Sequence, residues 1–416
     1  RLVYNFFFIF FVPALLIKSL SRQEGFRSLE RLGIYPEGGK HSSIWVHAVS
    51  VGEFNASIPI IETLLKSAGS PQVLITTTTG TASSLVNKVF GDRVKHVFFP
   101  YDIPLILRRL IRKYNPKKLI LLETELWPNL LRLCQKQEIP VLLINARLSN
   151  RSFNRYQLLY SLMSEVVGPL TCIGAQNIEY VERFEKIGYP REIIQVTGNL
   201  KFEVNYDSSL SGELQGLFDK YFCKRIILVC GSTRPGEESR LMPIMGHLRE
   251  RFENLLIVIA PRHPDRVAEV GKLCLQARLK CHYRSEPWIW KEEPDVLILD
   301  TIGELSTCYS VASVAFVGGS LQPYGGQNVL EPIYFGVPSL AGPHTTNFQE
   351  EVKALSATGA LDLIGDEEEF YDRVTYLLEN DEEREALGLR GRKLIESERG
   401  SLQRTLKILN EYDEVT

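Results

Sequence analysis

The chain has 416 residues, 44% of them hydrophobic and 24% charged, a composition that excludes wholesale disorder and leaves room for two to four domains. Lys and Arg number 48 against 50 Asp and Glu, giving a net charge of −2. A protein that grips nucleic acid through its phosphates carries a basic excess, so that partner is excluded, whereas a small anion held by a few local arginines is not. The seven cysteines are odd in number and form no Cys-x-x-Cys pair, which argues against a zinc ribbon or a disulfide scaffold.

The chain opens on an apolar segment, RLVYNFFFIFFVPALLIKSL, in which every residue from Phe6 to Ile17 is apolar or Pro. About 16 residues precede Lys18, roughly 24 Å as a helix and just short of a full bilayer span. No small-residue cleavage site follows Ile17. A buried core helix competes with a membrane anchor, and the anchor is the expectation for residues 1–21. Lys18, Arg22, Arg27 and Arg31 follow it and favour the cytoplasmic side.

From residue 43 onward short apolar runs alternate with helical periodicity. Strands are expected at Ile44–Val49, Val73–Thr77, Lys95–Phe99, Lys118–Leu122, Val141–Asn145, Thr171–Ala175 and Ile193–Thr197. A second series follows at Arg225–Cys230, Leu255–Ala260, Leu279–Tyr283, Val296–Leu299, Ser313–Val317 and Pro338–Leu340. Continuous apolar strands separated by helices imply parallel sheets covered on both faces. The fold class is therefore α/β, with two doubly wound, Rossmann-like domains facing across a cleft. The polar, Gly-containing stretch 204–224 interrupts the alternation. It divides the chain into 22–205 and 206–416, the latter carrying the charged C-terminal helices.

Four constellations fall at strand ends. In WVHAVSVGEF, Ser50 and Glu53 fit a capping box, and the same geometry sets Glu53 at a helix N-terminus whose dipole favours the ionised form a general base needs. In LILLETELWPN, Glu123 and Glu125 end an apolar strand; they are either solvated acids ahead of a helix opened by Pro128 or crevice carboxylates. In VIAPRHPDR, Arg262 and His263 sit between a strand and a helix starting at Pro264, where a guanidinium and backbone donors suit a phosphate.

The most specific is FVGGSLQPYGGQNVLEPIYFGVP. Gly318, Gly319 and Gly326 allow close backbone approach, a helix opening near Asn328 favours an anion, and Asn328 and Glu331 share a face on which Glu331 can accept ribose hydroxyls. Three weaker items are Arg147 in NARLS, Lys201 in TGNLK and the Gly231–Arg234 run with Ser232. The first two carry a positive charge that could hold a carboxylate or phosphate, and the third could line the cleft with donors.

Glu331-Pro332 to Pro338 resembles the donor-binding signature of GT-B glycosyltransferases. HAVSVGE, ETELWPN, NARLS, TGNLKF, PRHP and GGSLQPYGGQNVLEP, in that order, resemble the 3-deoxy-D-manno-octulosonic acid (Kdo) transferases of Gram-negative bacteria. The resemblance implies an inverting transferase that moves Kdo from CMP-Kdo to a lipid A precursor (lipid IVA) in lipopolysaccharide synthesis, at the cytoplasmic face of the inner membrane. It implies Glu53 as the general base, help from Glu123 or Glu125, donor contacts from Lys201, Arg262, Asn328 and Glu331, and no metal or other cofactor. It also makes 22–205 the acceptor domain and 206–416 the donor domain. Tyr324 stands where that family's pattern has a His. The alternatives are another GT-B enzyme, a UDP-sugar transferase or epimerase, and a membrane-associated nucleotide-sugar binding protein without catalysis.

Overall fold

The computed structural model describes residues 25–35, 43–67, 71–158, 170–203, 212–289 and 292–412. The chain divides into two compact units, one of residues 1–204 with 398–416 and one of residues 205–397.

In the first unit seven strands form one sheet. They are β1 (Ser43–His47), β2 (Gln72–Thr77), β3 (Lys95–Phe98), β4 (Pro116–Leu122), β5 (Val141–Ala146), β6 (Cys172–Ala175) and β7 (Ile194–Val196). The order is β3-β2-β1-β4-β5-β6-β7 and every pairing is parallel. The second unit repeats the plan with β8 (Ile226–Thr233), β9 (Leu255–Pro261), β10 (Cys281–Tyr283), β11 (Val296–Ile298), β12 (Val314–Val317), β13 (Ser339–Ala341) and β14 (Leu361–Leu363). Its order is β10-β11-β9-β8-β12-β13-β14, again all parallel.

Side-chain alternation, with both faces covered, explains why the central strands are largely apolar. Trp45, Leu119, Leu121 and Leu143 point to one face and meet Leu107, Leu110 and Ile111 of the helix Pro104–Tyr114 and Leu130, Leu131 and Cys134 of the helix Pro128–Lys136. Val46, Ile120, Leu122 and Ile144 point to the other, against Phe54, Ile60 and Ile61 of the helix Val51–Lys66. The second sheet is covered in the same way, by the helices Glu237–Arg251 and Glu367–Glu379 on one face and Gly212–Tyr221 on the other.

All thirteen expected strands form, within two or three residues at their ends. The one that was missed is β14, a three-residue edge strand whose LDL sequence is too short to carry a periodic signal. The C-terminal helices depart from expectation more instructively. The helix Glu367–Glu379 packs on the second sheet, but the helix Ser401–Glu411 belongs to the first unit rather than to 206–416. Its Ile408 and Leu409 are buried in the first unit's core, Arg404 Nε donates to Thr197 O at 2.8 Å, and Lys118 Nζ donates to Leu409 O at 3.4 Å.

The expected anchor, residues 1–21, lies outside the described residues. Among those described, no helix is long and apolar enough to cross a membrane. Arg27 and Arg31, read from sequence as flanking charges of an anchor, are committed to the fold. Arg31 is buried and donates to Thr78 O at 2.7 Å, while Arg27 bonds Glu30 and His96.

Replacing Leu409, fully buried at the C-terminal helix, with Ala should destabilise the first unit by about 2–5 kcal/mol. Chemical denaturation followed by tryptophan fluorescence measures this: Trp45 and Trp127 lie in the first unit and Trp288 in the second, and only the first unit's transition should move.

Candidate functional site

Each sheet changes direction of winding once. In the first unit this switch lies between β1 and β4, in the second between β8 and β12. Ligands of open α/β sheets bind outside the carboxyl ends of the strands at such points, because the loops there diverge and leave a crevice. The constellations read from sequence sit at these two places.

In the first unit β1 ends at His47, and Ser50 caps the helix Val51–Lys66, accepting from Glu53 N at 3.3 Å. Glu53 answers with both oxygens, receiving Ser50 Oγ at 3.0 Å and Val49 N at 2.7 Å. The capping box therefore forms, and it holds a carboxylate that is 8% exposed. Burial, followed by the charges of Glu123 and then Glu125, pushes Glu53 up to about 8, against the pull of the Val49 and Ser50 bonds. This corrects the expectation of a stabilised anion: at this helix start, desolvation and like charge outweigh the local donors.

Glu123 and Glu125 are fixed differently. Glu123, the residue after β4, adopts φ 58°, outside the usual range for a non-glycine residue. Its Oε2 takes Arg147 Nε at 2.6 Å, and its Oε1 lies 3.8 Å from Lys201 Nζ. Lys201 is brought there by Asn145, the penultimate residue of β5, which takes φ 51° and accepts Leu200 N at 3.0 Å on its Oδ1. The two weaker positive motifs thus converge on a carboxylate of their own unit. Glu125 accepts Trp127 Nε1 at 2.8 Å and lies 4.0 Å from His47 Nε2. Burial, reinforced by the Glu123 charge, raises Glu125 to about 7. His47 is fully buried and pushed down to about 3, so it is neutral, with Nδ1 turned to Thr76.

In the second unit Ser232 takes φ 54° at the end of β8, and Gly318 packs directly on the next residue. A Cβ on Gly318 would stand 2.6 Å from Thr233 Cα, so no side chain fits. Gly319 (φ 69°) and Gly326 (φ 79°) carry the chain back on itself, with Gly326 N donating to Gly319 O at 2.7 Å. Arg262 N donates to Thr233 O at 2.9 Å and seats the PRHP loop beside β8; its side chain is exposed. His263 Nε2 receives Arg234 Nη1 at 2.7 Å.

Two local expectations are corrected. The helix after the glycine loop is only Leu330–Tyr334, five residues, so it has little dipole to offer an anion, and Asn328 lies ahead of it rather than on a shared face with Glu331. Asn328 Oδ1 instead accepts Leu330 N at 3.2 Å. Pro264 opens a 3-10 turn, Pro264–Arg266, and the helix begins at Val267. Glu331 is half-buried with its carboxyl raised by desolvation and bonded by Ser306 Oγ.

A family model described as 3-deoxy-D-manno-octulosonic-acid transferase (kdotransferase) matches residues 27–204. The chain is 34% identical over 405 residues to the 3-deoxy-D-manno-octulosonic acid transferase of Haemophilus influenzae, covering 97% of this chain and 94% of that protein. It is 33% identical over 380 residues to the enzyme of the same name from Bordetella pertussis, covering 89% and 87%. The chain belongs to the Kdo transferase family. The fold extends beyond that family. A crystal structure of UDP-GlcNAc 2-epimerase from Neisseria meningitidis matches with a TM-score of 0.59 at 15% identity, over 88% of this chain and 100% of that one, a likeness of fold alone.

The organising residue of this Kdo transferase's second unit escaped sequence reasoning. Glu237 is fully buried and accepts four backbone N–H groups: Arg234 at 2.8 Å, Gly319 at 2.7 Å, Ser320 at 2.9 Å and Leu321 at 2.9 Å. One carboxylate thereby ties the loop after β8 to the loop after β12. The available signal was a Glu three residues beyond Arg234 at a helix start, which resembles an ordinary cap.

Glu237→Gln replaces one acceptor oxygen with an NH2 that faces N–H donors, and should destabilise the second unit by about 3 kcal/mol or more. Denaturant titration measures the loss; Glu237→Asp, which keeps the charge, should recover part of it.

Proposed function

We propose that this protein transfers Kdo from CMP-Kdo to a hydroxyl of a lipid A precursor. The observation that carries this reading is the buried, proton-holding Glu53 at the first unit's switch point, in a chain that matches Kdo transferases over nearly its whole length. In the reaction Glu53 withdraws the proton of the acceptor hydroxyl as its oxygen bonds the anomeric carbon of Kdo. The bond from that carbon to the phosphate oxygen breaks, and its electron pair leaves with CMP. Attack from the face opposite the leaving group inverts the anomeric centre.

CMP is a good leaving group, so the protein's task is positioning, charge stabilisation and proton removal. Of the two neighbouring acids, Glu125 is the better partner for Glu53. Glu123 is held by Arg147 and Lys201, whereas Glu125, raised to about 7, still exchanges its proton near neutral pH. We assign the donor to the second unit, around Ser232, Arg262, His263, Gly318, Gly319, Gly326, Asn328 and Glu331, where a guanidinium and close-approach glycines suit a nucleotide phosphate. The acceptor belongs with the first unit. Transfer proceeds without a metal, in keeping with a chain that lacks Asp-x-Asp. The protein works at the cytoplasmic face of the inner membrane, held by its apolar N-terminal segment.

The direct test is to incubate the protein with CMP-Kdo and tetraacyl lipid A precursor and weigh the product, which also counts the sugars added. Absence of a Kdo mass increment, or turnover of a UDP-sugar instead, overturns the assignment. Glu53→Gln should lower kcat by about 10²–10⁴ while CMP-Kdo still binds; undiminished turnover would remove Glu53 as the base.

The pH profile gives a second check. A carboxyl raised to about 8 must lose its proton before it can act, so kcat/KM should climb with pH through about 8. Glu123→Gln deletes a negative neighbour and frees Arg147 and Lys201. Both effects favour the Glu53 anion, so the limb should move to lower pH. A limb that stays in place shows that another group titrates.

A further inference from the structure

Arg234 stands apart from the other arginines of the second unit. Every other half-buried arginine described there has a carboxylate oxygen within 3.8 Å, Arg249 with Asp295 at 2.8 Å, Arg266 with Glu238 at 2.8 Å and Arg284 with Glu304 at 3.0 Å among them. Arg234 is half-buried as well, yet among the described residues no carboxylate pairs with it. It is held instead by an aromatic ring and an imidazole. Its guanidinium lies over the Tyr324 ring, 5.2 Å from the centroid, and Nη1 donates to His263 Nε2 at 2.7 Å. The Nε–H is buried without a partner.

A half-buried cation fixed without a counter-charge, its Nε–H shut off from water, costs stability, and such a cost persists where the charge is used. The position fits that use. Arg234 follows β8 directly at the switch point, its own N–H is gripped by Glu237 at 2.8 Å, and Glu237 grips the glycine loop through the same carboxylate. A guanidinium fixed over an aromatic ring is pre-organised to donate to an anion's oxygen. Arg262, exposed, emerges from the adjoining loop through its bond to Thr233 O.

From this we infer that Arg234 is the anion-binding residue of the donor site, taking an oxyanion of the nucleotide sugar on a guanidinium seated by Tyr324 and His263. The inference rests on the proposed CMP-Kdo donor, which offers two such anions, the nucleotide phosphate and the sugar carboxylate.

Isothermal titration of the full-length protein with CMP, CMP-Kdo and cytidine decides it. Arg234→Gln should weaken CMP-Kdo binding by about tenfold or more, the scale of a lost charge-assisted hydrogen bond, and leave cytidine binding unchanged. Loss of CMP and CMP-Kdo binding together assigns the phosphate; loss of CMP-Kdo binding alone assigns the carboxylate. Arg234→Lys, which keeps the charge but not the fork, should fall between. Tyr324→Leu, which removes the seat without touching the charge, should weaken binding several-fold and serves if Arg234→Gln fails to fold. Binding by wild type that these variants leave unchanged overturns the assignment, as does an equal loss of cytidine, which would mark a purely structural role. A wild-type protein that binds neither CMP nor CMP-Kdo removes the donor reading and the assignment with it.

Discussion

A carboxylate withdrawn from water must gather hydrogen bonds and cations or else keep its proton, and both switch points of this molecule are organised by how that constraint is met. Glu237 meets it with four backbone amides. Glu123 meets it with Arg147 and Lys201. Glu53 and Glu125 are short of positive partners and keep their protons to about 8 and about 7. The first two solutions are static and hold loops in place. The third is labile, and a group that gives and takes a proton near neutral pH is what proton transfer requires.

Backbone conformation marks the same places. Of the six non-glycine residues described with positive φ, Asn115, Glu138 and Arg278 end helices, where the left-handed conformation is an ordinary stop. The other three, Glu123, Asn145 and Ser232, sit at the carboxyl ends of β4, β5 and β8. Each carries a cost of about 1–3 kcal/mol. At Glu123 and Asn145 what it secures is visible: the turned backbone directs one side chain to Arg147 and the other to Leu200 N.

The strands were legible because a parallel sheet covered on both faces leaves few polar positions inside its central strands, so runs such as LILL and LIVIA announce themselves. Glu53 was legible for the opposite reason, as a polar residue where the apolar pattern stops. Its proton affinity was not, because the helix start visible in sequence argues for the anion while the burial and the approach of Glu123 and Glu125 that reverse it are tertiary. Glu237 and Arg234 were hidden for the same reason. A glutamate opening a helix and an arginine in a polar loop are commonplace, and only the fold shows that one grips two loops and the other lacks a counter-charge. The helix Ser401–Glu411 was misassigned because amphipathic spacing says that a face is buried, never against which unit.

These observations divide the chemistry between the units. In the second, buried charge is locked: Glu237 is saturated by amides, Glu238 is paired with Arg266, and among the described half-buried arginines only Arg234 lacks a carboxylate. That arrangement favours binding an anion without changing its own protonation. In the first, Arg147 and Lys201 are spent on Glu123, and among the described residues no Lys or Arg pairs with Glu53 or Glu125, whose carboxyls burial raises to about 8 and about 7. Such a cluster of acids is poorly suited to holding an anionic nucleotide, and once Glu53 has given up its proton it can take one from a neutral hydroxyl. The electrostatics of each unit taken alone are thus those that the proposed donor site in the second and acceptor site in the first would call for.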